Sequence, residues 1–216
     1  MWYNPFCETN GRGNDAMIDE IIRHYDALAN SGNDPVSDPP ELCAYMDKWD
    51  GRTFLDMLEL SPIQSVLEIG CGTGRLAVRA APAVRSFCGI DVSPESVRLA
   101  RTHLASGNVR LVCADFLRCD FSEKFNLIYS SLTFMHIRDK ATAIGKVFSL
   151  LETGGRFVLS IDKSRDSRLD FGAYSIEIYP DNPEETLLLL GKCGFADVKR
   201  QETEFAYLFS AVKCFG

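Results

Sequence analysis

Three glycines at alternate positions, Gly70, Gly72 and Gly74, follow the apolar run Val66-Leu67-Glu68-Ile69, and a carboxylate, Asp91, ends the next apolar run. Glycine tolerates positive φ and lets a ligand lie against bare backbone, and the free amides of a helix start attract an anionic group. Cys71 and Thr73 belong to the same turn, where Cys71 offers its backbone. Asp91 comes 21 residues after Gly70, and its two acceptor oxygens suit both hydroxyls of an adenosine ribose while repelling a 2′-phosphate. Together these residues read as the turn and ribose anchor of a nucleotide-type cofactor site. The dinucleotide fingerprint needs a small residue where this chain has Arg75, which argues against NAD or FAD.

Positioning such a turn takes a strand before it and a helix after it. The spacing predicts a buried strand through Ile69 and a helix from Arg75 to Ala81. Ser86 to Ile90 forms a second strand, and Ser93-Pro94-Glu95 supplies the N-cap, N1 proline and first-turn acid of the helix after it. Strands over Val109 to Ala114, Phe125 to Ser130 and Arg156 to Ile161 follow, with a helix from about Asp139 to Glu152 ended by Gly154-Gly155. Asn182-Pro183-Glu184-Glu185 starts another helix, closed by Gly194. Ala196 to Thr203 and Phe205 to Cys214 are joined too tightly for a crossover and must form an antiparallel hairpin. The expected fold is therefore α/β: a doubly wound, mostly parallel seven-stranded sheet, helices on both faces, and a C-terminal antiparallel hairpin.

The run Glu68-Ile69-Gly70-Cys71-Gly72-Thr73-Gly74, Asp91 after the second strand and Cys113-Ala114-Asp115-Phe116 after the third resemble the class I, seven-strand S-adenosylmethionine (SAM)-dependent methyltransferases. The resemblance covers roughly residues 62 to 162 by motif. It implies that Gly70, Gly72 and Gly74 hold the methionine part of SAM and Asp91 its ribose. It further implies that Asp115 faces the adenine amino group with Phe116 beside the ring, and a carboxylate acceptor and an aromatic face suit those tasks chemically. Glu68, Cys71, Thr73 and Val92 complete the expected cofactor set, with Ser130 and Ser131 as hydrogen-bonding candidates at the end of the fourth strand.

Catalysis is expected where Ser130 to His136 follow that strand, because ligands of open α/β sheets bind beyond the carboxyl ends of strands. His136 is the candidate general base. Ahead of the sheet, residues 1–60 read as a helical extension: Ile18, Ile21, Ile22, Tyr25 and Leu28 follow one helical face, and Leu42, Tyr45, Met46 and Trp49 another. Residues 61–216 read as the SAM-binding domain. Tyr25, Tyr45, Trp49 and Tyr174 are the candidate lining of an apolar acceptor pocket, under a lid from the extension and the stretch Asp162 to Pro180.

Composition narrows the partners. Net charge is −7 over 216 residues, which disfavours nucleic acid, and no apolar stretch reaches the ~20 residues of a membrane span. The N-terminal residues lack a signal-peptide pattern, so a cytoplasmic location is expected. The eight cysteines show no metal-ligand spacing and read as reduced thiols, with no metal expected. The expected activity is methyl transfer from SAM to a small-molecule acceptor. The alternatives are a non-catalytic binder of SAM or S-adenosylhomocysteine (SAH) and a nicotinamide-dependent oxidoreductase.

Overall fold

The computed structural model describes residues 12–171 and 175–214. In chain order, α1 (Arg12–Asn30), α2 (Pro40–Met46) and α3 (Gly51–Leu58) lead into β1 (Ser65–Ile69), α4 (Ala77–Ala80), β2 (Ser86–Asp91), α5 (Pro94–His103), β3 (Val109–Cys113) and β4 (Phe125–Ser131). Then come α6 (Lys140–Leu150), β5 (Leu151–Asp162), β6 (Arg168–Asp170), β7 (Ser175–Glu177), α7 (Pro183–Lys192), β8 (Phe195–Glu202) and β9 (Ala206–Lys213).

Seven strands form one sheet in the order β3-β2-β1-β4-β5-β9-β8. β1 to β5 run parallel, and β9 is antiparallel to β5 and β8, which is the expected terminal hairpin. Alternate residues of the strands feed two cores. Leu67, Ile69 and Ile128 pack under α6 with Ile144 and Val147, whereas Val66, Leu127 and Tyr129 pack on the other face with α3, α4 and α5. Phe54 and Leu58 of α3 are fully buried in that second core, so packing runs without a break across residue 60.

The strand order reverses between β1 and β4, so their carboxyl ends diverge and leave the crevice that α/β sheets use for ligands. α1 lies across it and is fastened to the start of α5. The Ser93 hydroxyl accepts from the Ser96 amide as N-cap and donates to Asp26 at 2.6 Å, and Asp26 also accepts from the Glu95 amide.

Three local expectations need correction. The helix expected from Arg75 begins only at Ala77, because the Arg75 guanidinium is drawn to Asp50 and its residue stays in the turn. Gly154-Gly155 do not end α6: the helix stops at Leu150, and Leu151 is already extended and paired with Phe125. Gly154, at φ +78°, instead lies where the β4–β5 register shifts. Trp49 falls three residues beyond the end of α2 and so off the helix whose face it was expected to share.

Candidate active site

The glycine turn is built against β2. The amides of Gly70 and Cys71 both donate to the Ile90 carbonyl, and the Gly74 amide closes back onto the Cys71 carbonyl. Gly70 has φ +75°, and a Cβ there would lie 2.0 Å from Thr133 Oγ1, so the turn and the segment after β4 touch with no room for a side chain. Gly74 serves differently: its φ is +101° and it faces Leu104 at the end of α5. It lines neither of the cavities described next.

Two adjoining cavities of about 410 and 170 Å³ open beside the turn and share Tyr25, Gly70, Gly72, Arg75 and Ser131. Asp91, Val92, Asp115 and Phe116 line the larger, and Glu68, Cys71 and Thr73 the smaller. The larger lies within the range of ordinary small-molecule sites. Asp91 accepts from the Gly72 amide at 2.8 Å through one oxygen and from the Ser93 amide at 2.9 Å through the other. Burial raises its pKa, outweighing the stabilisation from those amides. Each carboxylate oxygen has a second lone pair, so the residue that shapes the loop keeps acceptor capacity for a ligand. Asp115 accepts from the Leu117 amide at 2.9 Å, which makes it the cap of its own turn as well as a wall of the cavity.

Below the turn lies a charge cluster that the sequence reading overlooked. Asp50 is fully buried at the N-cap position of α3, bonded through both oxygens to the Arg75 guanidinium and accepting from the Ser131 hydroxyl at 2.5 Å. Glu68 is buried beside it and accepts from the Tyr129 hydroxyl at 3.0 Å. Burial pushes Glu68 up to about 8. The Tyr129 bond and Arg75 work against that rise, and repulsion from Asp50 and Asp91 adds to it.

On the far wall, His136 Nε2 and the Tyr25 hydroxyl stand 2.8 Å apart, joining the turn after β4 to α1. Burial is the main cause lowering the His136 pKa to about 4, with His24 and Lys140 adding to it, so the ring is neutral at pH 7. Its Nδ1 has no partner among the described residues. The His136 ring resonances in an NMR titration should therefore hold their neutral positions down to about pH 5. In the unfolded chain the same ring titrates near 6.5, so the unfolded state binds more protons between the two values. The contribution of His136 to stability thus falls as pH drops from 6.5 towards 4. A ring that titrates near 6.5 in the folded protein would contradict this.

Several expected residues are placed elsewhere. Ser130 is fully buried and donates to the Ile69 carbonyl at 2.9 Å, bracing β1 against β4 outside the cavity lining. Tyr45 is exposed and stacks with Trp49 and Phe205, and the Trp49 indole donates to Asp162 at 2.8 Å; neither lines the cavity. Aromatic residues on a helix face are also what a surface cluster requires, and Phe205, which completes this one, comes from the distant β8–β9 turn. Tyr174 lies outside the described residues. The structure adds Met17, Ile18 and Ile21 from the apolar face of α1, together with Leu132 and Tyr179. Leu132, at φ +54°, is held in the left-handed region as the chain leaves β4. Among the described residues no group of three or more His, Cys, Asp or Glu could hold a metal ion, and no helix is long and apolar enough to cross a membrane.

A family model described as a methyltransferase domain matches residues 60–182, more than half of the chain. The chain belongs to the class I SAM-dependent methyltransferases. This methyltransferase is 30% identical over 149 residues to the malonyl-[acyl-carrier protein] O-methyltransferase of Acetivibrio thermocellus, covering 67% of this chain and 50% of the relative. It is 31% identical over 169 residues to the phosphoethanolamine N-methyltransferase of Triticum aestivum, covering 73% and 33%. The chain spans about half the length of the first of these relatives and a third of the second. Among solved structures, a DhpI–SAH complex superposes with a TM-score of 0.72 at 16% identity, covering 93% of this chain and 98% of that one. The N-methyltransferase NodS of Bradyrhizobium japonicum with SAH gives 0.66 at 19%, covering 91% and 98%. The family's cofactor is SAM, and the donor set fits it: Asp91 ends β2, Asp115 follows β3, an open glycine turn follows β1, and apolar Val92 and Phe116 flank the cavity.

Proposed function

We propose that the chain transfers a methyl group from SAM to a small-molecule acceptor seated between α1 and the turn after β4. The observation carrying this reading is the Tyr25–His136 contact across the larger cavity. When bound, SAM supplies a sulfonium-activated methyl group that needs a nucleophile in line with it more than it needs acid or base chemistry. In this reading Asp91 holds the ribose, Asp115 and Phe116 receive the adenine, and the smaller cavity with Gly70, Cys71, Gly72, Thr73 and Glu68 takes the methionine end. Ser131 stays committed to Asp50 and shapes the boundary between the two.

His136 is too weakly basic, at about 4, to remove a proton from an alcohol or ammonium ahead of transfer. Its task is to orient. Tyr25 holds Nε2 and so fixes the ring as part of the wall that would face the acceptor. Burial raises the Tyr25 pKa, so its hydroxyl stays protonated and able to donate. Met17, Ile18 and Ile21 of α1 line this cavity, which favours an acceptor with an apolar body presenting one oxygen, nitrogen or carbon nucleophile. Malonyl thioesters and phosphoethanolamine, named for the relatives, are the first acceptors to try.

Labelled SAM incubated with those acceptors and with cell extract should yield labelled small molecules. Against the acceptor found, Tyr25→Phe should lower kcat by about tenfold and His136→Ala by about a hundredfold, with SAH affinity within about twofold of wild type. Absence of any labelled product would support a binder without catalysis. Equal losses in kcat and SAH affinity would remove His136 from the acceptor side.

A further inference from the structure

Lys140 is the first residue of α6, where the helix dipole opposes a cation, so its position calls for compensation. Its ammonium donates to the carbonyls of Phe134 (2.9 Å), Tyr179 (3.0 Å) and Ile137 (3.4 Å) and pairs with buried Asp181 at 2.7 Å. Phe134 and Ile137 bracket the short turn that carries His136, and the Tyr179 amide donates to the Met135 carbonyl at 2.8 Å. One side chain thus joins the His136 turn to the segment bearing Tyr179. Six residues on, Lys146 donates to the carbonyls of Cys119 (2.6 Å) and Leu117 (3.1 Å) and lies 5.3 Å from the Phe116 ring centre. Leu117 and Cys119 belong to the turn that Asp115 caps, so Lys146 braces the Asp115-Phe116 turn. Withdrawing ammonium groups from water is costly, and here both are spent largely on backbone carbonyls of cavity-forming segments.

We infer that Lys140 and Lys146 are positioning residues that set the two walls of the site separately, Lys140 the acceptor wall and Lys146 the adenine wall. The inference rests on the cofactor and acceptor placement proposed above. Neither lysine lines the cavities, so each acts through the segment it holds. α6 is thereby a common spine whose two ammonium groups tune different steps.

The test uses the full chain with K140M and K146M, read by SAH calorimetry and by NMR titration of the His136 ring. The titratable and charged groups against that ring are His24 and Tyr25 from α1 and Lys140 itself. K146M should weaken SAH binding about tenfold and leave the His136 titration in place, and K146R, which keeps a donor and a cation over Phe116, should recover most of the loss. K140M should change SAH affinity by less than about twofold and move the His136 titration upward, because a nearby cation is removed. Should K140M fail to fold with Asp181 left unpaired, K140M/D181N removes both charges and carries the same expectation. Parallel effects of the two lysines on both readouts would overturn the inference while leaving the proposed function standing. Failure of the wild-type protein to bind SAH would overturn both.

Discussion

Replacing Asp91 with alanine should raise the SAH dissociation constant at least about a hundredfold, near 3 kcal/mol, through the loss of the charge-assisted bonds proposed to the ribose and the loosening of the glycine loop. The two effects come from one side chain, since Asp91 orders the glycine turn through the Gly72 amide and the start of α5 through the Ser93 amide. Stability should fall by only about 1–2 kcal/mol: two amides lose acceptors, but a carboxylate that burial disfavours is also removed. Asp91→Asn separates these effects, because an amide keeps the shape and one acceptor while setting an NH2 group against a backbone N–H. Calorimetry with SAH and a denaturant melt on the same samples check it. An affinity loss no larger than the stability loss would mean that Asp91 is a loop brace and nothing more.

The largest stability effect is expected at Asp50. Its carboxylate is fully buried and is the partner of both the Arg75 guanidinium and the Ser131 hydroxyl. Asp50→Ala leaves the arginine without that partner, a change that costs about 3–5 kcal/mol in buried pairs and, for a chain of this size, lowers Tm by roughly 10 °C. Removing one of the negative charges that repel Glu68 should also draw the Glu68 pKa down from about 8. The double replacement Asp50→Leu with Arg75→Met removes both charges and should recover much of the lost stability. A thermal melt of the three variants checks the ordering, and a double variant as unstable as the single would show that shape, not charge, holds this joint.

Much of the architecture was legible because it follows from period and punctuation. Short, largely apolar runs became parallel strands, the Ser93 and Asn182 caps lie at the helix starts that their residue types indicate, and the short link before Phe205 left no topology but a hairpin. The glycine turn, Asp91 and Asp115 meet at one cavity for the same reason, since they are fixed by the strands that precede them. The opposite wall of that cavity was not. Tyr25 and Tyr45 look alike as aromatic residues on helical faces, but the contacts that separate them, His136 for one and Phe205 for the other, lie more than a hundred residues away. Asp50 carried no local signal either, because its meaning depends on an arginine 25 residues on that the fold brings beneath the turn.

In the proposed function the glycine turn, Asp91 and Asp115 form a SAM cradle facing Tyr25 and His136. A crystal structure of the protein with SAH tests it most directly. The ribose hydroxyls should lie on Asp91, the adenine against Phe116 with its amino group at Asp115, and the sulfur should turn towards the space beside His136. SAH bound with its ribose away from Asp91, or with its sulfur facing away from the Tyr25–His136 pair, would contradict it.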